Sequence, residues 1–187
     1  MSERVQIRMA SLIDPHQLTL GDIEETRLKT FFPSYYQSLT YGGQPLQIQT
    51  PDIRMSSLIP DHYFSGEAIE LPLSTWLRYQ FHIIDDFERD LVKVPETLLK
   101  KSLTSKDRYK PLPTGEKIYL LLDKTCTLSQ ETEHGVVDLS SCSSLGEGDY
   151  SLTLEFPHVY IGWHLFGYLY SVNVRVKHIH FKPVNSP

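Results

Sequence analysis

Apolar and polar residues alternate over several short stretches, and each alternation predicts an extended segment with one buried face. Val5, Ile7 and Met9 against Arg4, Gln6 and Arg8 predict an edge strand near the start. Leu18 to Lys29 carries Asp22, Glu24 and Glu25 and is expected as a short helix or an irregular acidic arm. Residues 1–30 then read as an N-terminal arm on a core spanning 31–182. Residues 31–50 read as two extended runs around Gly42-Gly43, a pair that permits the positive φ of a tight hairpin. Leu46-Gln47-Ile48-Gln49-Thr50 alternates cleanly and Pro51 ends it. Pro51, Pro60, Asp61 and Gly66 make 51–67 a surface loop by composition.

The period changes at Ser74. Leu77, Phe81, Ile84, Phe87 and Leu91 recur at helical spacing, with Ser74 or Thr75 as N-cap, so 74–94 predicts a helix. Pro95 stops it and opens a second short helix over 96–103. Asp85, Asp86, Glu88 and Asp90 are expected on its polar, solvated side. Alternation returns over Glu116 to Asp123, where Ile118, Leu120 and Leu122 oppose Lys117 and Tyr119. Residues 125–149 read as polar turns around Val136 to Leu139. A strand over Tyr150 to Phe156 follows, and a last one from about Leu169 to Phe181. In that last strand Val172, Val174 and Val176 share one parity, but Ile179 and Phe181 take the other, which predicts a bulge or a change of environment near Lys177. Many short strands around an inserted helix pair indicate a single, mainly β domain, closed or partly open as a small barrel.

Residues 156–174 lack Lys, Arg, Asp and Glu, yet Pro157, His158, His164, Gly162, Gly167 and Asn173 break the run. A spanning helix needs about 20 predominantly apolar residues, so two strands around a Gly-flanked turn fit better and no membrane partner is expected. Residues 1–13 lack the apolar core of about 7–15 residues that a secretory signal carries, so an intracellular, reducing setting is expected.

Charge alters the picture only when divided along the chain. The 187 residues carry a formal net charge of −5, which excludes a wholly basic nucleic-acid binder. The acid lies mainly in the first 72 and last 62 residues; residues 93–124 hold eight Lys and Arg against four Asp and Glu. Tyr109 and Tyr119 stand among those cations. Cations neutralise phosphates and rings stack on exposed bases, so this composition suits single-stranded nucleic acid; a solvated basic helix and loop would look the same.

Catalytic and metal chemistry find little footing. No P-loop, G-x-G-x-x-G or G-x-S-x-G turn occurs. Asp85 and Asp86 are neighbours on a helix and diverge by about 100°, so they cannot converge on one bond. His178 and His180 share a strand face, and with His158 or His164 they would give a weak zinc set. Cys126 and Cys142, 16 residues apart, have no CxxC spacing. Neither an enzyme nor a cofactor or metal is expected.

Four stretches carry a resemblance: Tyr41-Gly-Gly-Gln-Pro-Leu-Gln-Ile-Gln-Thr-Pro51, Ile83-Ile-Asp-Asp-Phe-Glu-Arg-Asp-Leu91, Tyr109-Lys-Pro-Leu112 leading into Lys117-Ile-Tyr-Leu-Leu122, and Val159-Tyr-Ile-Gly-Trp163 with Gly167 and 172–177. Together, over roughly residues 38–182, they resemble the single-stranded DNA-binding proteins of large eukaryotic DNA viruses, themselves similar to the phage T7-type protein. The resemblance implies an OB-fold-like barrel with a packed helix. It also implies sequence-tolerant binding of single-stranded DNA during viral DNA replication and recombination, in the host cytoplasm or nucleus or within the virion. Lys101, Lys106, Arg108, Lys110, Lys117, Arg175 and Lys177 are then the expected phosphate contacts, and Tyr109, Tyr119 and Trp163 the expected stacking rings. The phage type recruits replication proteins through an acidic tail; 181–187 carry no carboxylate, so that route is not expected. A homo-oligomer is compatible with the reading. The competing expectations are a structural or virion interaction protein on the same β-scaffold and, with least footing, a small β-rich enzyme.

Overall fold

The computed structural model describes residues 12–26, 34–58, 61–63, 66–91, 108–110, 112–113, 115–139, 145–164 and 167–184, with backbone alone at 61–63, 66, 88–91, 108–110, 163–164 and 167–168. The strand expected over 4–9, the helix over 96–103, and Lys101, Lys106 and Cys142 lie outside the described residues.

The described chain is mainly β. A 3-10 turn (Pro15–Gln17) leads into β1 (Leu18–Glu25), β2 (Tyr35–Tyr41), β3 (Gln44–Gln49), β4 (Ile53–Met55), β5 (Asp61–Tyr63) and β6 (Gly66–Pro72). Helix α1 (Thr75–Leu91) follows, then β7 (Arg108–Lys110), β8 (Lys117–Thr132), β9 (Gly135–Leu139), β10 (Gly148–Phe156), β11 (His158–His164), β12 (Gly167–Val172) and β13 (Arg175–Pro183). Hydrogen bonding runs in the order β5-β6-β8-β13-β10-β3-β2-β11-β12-β7, with β1 on β2, β4 on β10 and β9 on β8. Among the described strands only β8–β13 and β7–β12 are parallel. Among the described residues this path is open, so the expected β class is found while the expected barrel closure is not.

Local sequence explains several elements directly. Gly42 (φ 56°) and Gly43 (φ 78°) adopt the left-handed backbone of a tight hairpin between β2 and β3, as the glycine pair predicts. Ser74 caps α1, its Oγ accepting from the Leu77 N–H at 3.2 Å. Leu77, Phe81 and Ile84 are buried against the sheet, with Phe81 edge-on to Phe156 at 6.0 Å between ring centroids. The expected bulge falls on Lys177. Strand β10 pairs Thr153 with His178 and Leu154 with Val176, so Lys177 has no partner there, and β8 passes from Leu122 to Thr127 over the same step. Val176 and Ile179 are both fully buried although three apart, which a regular strand forbids.

Elsewhere pairing overrides the local reading. Residues 18–25 form a strand, not a helix or a loose arm; a register shift between Leu20 and Ile23 breaks the period that would have revealed it. The 51–67 loop contains β4, whose partner β10 lies far along the chain, and β5, which pairs antiparallel with the adjacent β6. Strand β8 continues to Thr132 and turns into β9 where only turns were expected. The last strand is two strands, separated where the Asn173 N–H donates to the His158 carbonyl at 3.0 Å. Asp85 is buried, not solvated: both carboxylate oxygens lie 3.1 Å from the Leu112 N–H, which the Asp85 carboxylate accepts.

Strand β3 joins the two parts of the sheet, its Gln44 and Pro45 pairing with β2 and 46–49 with β10. The main core lies between α1 and the β6-β8-β13-β10-β3 part; a smaller cluster of Tyr35, Val159, Ile161 and Tyr170 lies on the β2-β11-β12 part. Phe81→Ala is expected to lower the unfolding free energy by about 3–5 kcal/mol, the cost of emptying a well-packed aromatic site. Urea unfolding measures it, and a loss below about 1 kcal/mol would contradict this packing.

Candidate nucleic-acid interface

Lys117 and Tyr119 of β8 and Arg175 and Lys177 of β13 come to one side of adjacent strands, Arg175 standing beside Leu121. They are not a bare basic face. Lys117 Nζ sits 2.5 Å from Glu70, and the Tyr119 hydroxyl donates to the same carboxylate. Lys177 lies 3.1 Å from Asp123 and 3.8 Å from Glu155; Arg175 lies 3.6 Å from Asp123. Three cations thus face Glu70, Asp123 and Glu155. The hydrogen bonds from Lys117 and then Tyr119 pull the Glu70 carboxyl below its ordinary range, and Glu70 in turn raises Lys117. The Tyr119 ring is 54% exposed.

The other cations and rings belong to the β2-β11-β12-β7 part. Arg108, Tyr109 and Lys110 form the edge strand β7, in register with Leu169, Tyr170 and Ser171. Tyr35, Ile161, Tyr170 and Tyr109 occupy one row across the strands, and the first three are buried. Tyr109 therefore holds a register position on the buried parity. The next row, of opposite parity, holds Tyr36, Tyr160, Ser171 and Lys110. Trp163 pairs with Tyr168 at the far end of β11.

That second row carries a feature the residue pattern had not singled out. Tyr160 is 36% exposed, and its ring lies along the strand over Gly162. A Cβ at Gly162 would sit 2.5 Å from the Tyr160 Cε1, so only glycine leaves room for the ring there. His158 lies on the same face, its ring 5.7 Å from that of Tyr36. The Asn173 amide nitrogen is 2.7 Å from His158 Nε2, and burial followed by Arg175 lowers the imidazole pKa. Tyr36 donates its hydroxyl proton to Glu24 on the acidic strand β1. The face is polarised, with carboxylates at the β1 margin and Arg108 and Lys110 on the strand at the other. An aromatic followed two residues later by glycine, inside an alternating run, is the signal that could have revealed Tyr160.

His178 and His180 are joined through a hydroxyl. Ser129 Oγ lies between His178 Nε2 (3.0 Å) and His180 Nδ1 (2.9 Å), and Thr127 Oγ1 meets His178 Nδ1 at 2.8 Å. Burial, then His180, lowers the His178 pKa. His158 belongs to the other part of the sheet, and no group of three or more metal-ligating side chains occurs among the described residues. No helix among them is long and apolar enough to cross a membrane. Compared with protein-family models, curated proteins and solved structures, the chain matches none.

Asp123 anchors the ion-paired face. The Thr125 hydroxyl and N–H donate to it at 2.6 and 2.8 Å, and with Lys177 they hold its carboxyl far below the ordinary range. A carboxylate with a lower pKa folded than unfolded adds stability above its unfolded pKa, and this is lost as pH falls through the folded value. Asp123→Asn is expected to melt below the wild type near pH 7, with the gap narrowing below about pH 4. Thermal melts across that range check this, and a constant gap would contradict it.

Proposed function

We propose that this protein binds single-stranded DNA with little base preference and no catalytic step, on an OB-like scaffold, in the replication and recombination of viral DNA. The observation that carries the reading is the Tyr160 ring, partly exposed and packed over Gly162 in the row that also contains Tyr36 and Lys110. An exposed ring offers a base a surface to stack on, and cations two strands away on β7 neutralise the phosphates. Arg108 and Lys110 supply that charge from the edge strand β7, whereas Trp163 holds a register position on the parity of Val159 and Ile161. The Lys117, Tyr119, Arg175 and Lys177 side has its charge already balanced by carboxylates, which lowers its attraction for phosphate.

One feature favours a second reading, an interaction protein on the same scaffold. Val136 (63% exposed) and Val137 (44%) stand on β9, which among the described strands pairs with β8 alone. Light scattering showing a concentration-independent assembly that Val137→Lys dissolves would support that reading.

Fluorescent oligo-dT titrated at low and raised salt tests the first. Wild-type affinity is expected to fall steeply with salt and to exceed that for duplex. Tyr160→Ala is expected to weaken binding about 5- to 150-fold, the ~1–3 kcal/mol of one stacked base. Gly162→Ala should act in the same direction by displacing the ring. Lys117→Ala and Arg175→Ala should change affinity by less than about threefold, their charges being locally matched. Absent low-salt binding, equal affinity for duplex, or an unchanged Tyr160→Ala affinity would overturn the proposal.

A further inference from the structure

Between Lys110 and Thr114 the chain reads Pro111-Leu112-Pro113. Proline has no N–H, so Leu112 offers the one backbone donor in this tripeptide. That donor points at Asp85 on α1, with both carboxylate oxygens 3.1 Å from the nitrogen. Asp85 is 5% exposed and Leu112 is 4% exposed, its side chain part of the main core. A buried carboxylate is costly unless it accepts hydrogen bonds, and a hydrogen bond to a charged acceptor is worth roughly twice a neutral one. Directly upstream of this junction lies β7, a strand of three residues at the end of the sheet path, held by parallel pairing to β12 alone among the described strands. So short an edge strand has little hold of its own.

We infer that Asp85 is a positioning residue of the nucleic-acid interface: by gripping the Leu112 N–H from α1, it fixes β7 in register on β12 and thereby places Arg108 and Lys110. The inference rests on the single-stranded DNA reading of that face. It ties two parts of the sequence together, the acidic helix and the Tyr109-Lys-Pro-Leu112 segment. The carboxylate does not touch the ligand. It acts through the backbone, and it does so at the one place where two prolines leave a single donor to grip.

The structural half is read without DNA. Trypsin cleaves after Arg108, whereas the Lys110–Pro111 bond resists it, so the cut between Arg108 and Tyr109, identified by mass spectrometry, reports release of β7. Asp85→Ala is expected to speed that cut by roughly tenfold or more. Phe81→Ala, a core variant losing comparable global stability, should speed it far less. Where Asp85→Ala does not fold, Asp85→Asn carries the test in the same direction with a smaller effect. The functional half uses oligo-dT. Asp85→Ala should weaken binding and flatten its salt dependence, and should add nothing in an Arg108→Ala/Lys110→Ala background. An unchanged cut, or equal acceleration by Phe81→Ala, overturns the positioning role. Additive affinity losses overturn its link to Arg108 and Lys110. If the wild type binds no oligo-dT, the DNA reading fails, while the trypsin result still decides whether Asp85 holds β7.

Discussion

Strand β10 carries the interaction on which the rest of the sheet depends. Tyr150, Leu152, Leu154 and Phe156 are fully buried on one face, and Ser151 and Thr153 are nearly so on the other, beside His180 and His178. Both edges are hydrogen-bonded, to β13 on one side and to β3 and β4 on the other. A strand without a free edge or a wet face has no alternative register, because a slip of one residue would exchange leucines for hydroxyls. Thr50 keeps this pairing continuous as β3 gives way to β4: its N–H donates to the Leu152 carbonyl at 2.9 Å, and its hydroxyl accepts from the Leu152 N–H at 3.0 Å. The bulge at Lys177 serves the same end, letting both halves of β13 bury their apolar residues against β10.

From that centre the two parts of the sheet acquire different surfaces. On the β6-β8-β13 side, cations and carboxylates alternate across neighbouring strands, and Arg54 and Lys182 continue the pattern with Glu147, Asp149, Asp52 and Glu131. Exposed pairs of this kind contribute little stability, but they cancel the local field. On the β2-β11-β12-β7 side Tyr36, His158 and Tyr160 share a face, with Glu24 of β1 at one margin and the edge strand that bears Arg108 and Lys110 at the other. A net charge of −5 is therefore compatible with attraction for a polyanion at one margin, since what a phosphate meets is the local field.

The sequence was a good guide wherever a signal was local. The Gly42-Gly43 hairpin, the Ser74 cap, the apolar stripe of α1 and the parity change at Lys177 each follow from a few consecutive residues. The candidate site was legible in composition more than in place. Lys117, Tyr119, Arg175 and Lys177 do share one side, but Glu70 and Glu155, far away in the chain, balance their charge. Tyr160 and Tyr36 went unsingled because a tyrosine in an alternating run looks the same whether it stacks on a neighbour or faces water.

The pattern of residues by itself determined that this chain is mainly β, that an amphipathic helix follows Ser74, and where the Gly42-Gly43 hairpin and the Lys177 bulge fall. Those are consequences of backbone sterics and side-chain period, which act over a few residues. Tertiary structure alone decided which strands pair, which cations meet carboxylates, and that Asp85 turns inward to Leu112. These are contacts between residues distant in sequence, chosen by burial and hydrogen-bond satisfaction across the whole fold, and no local pattern encodes the partner.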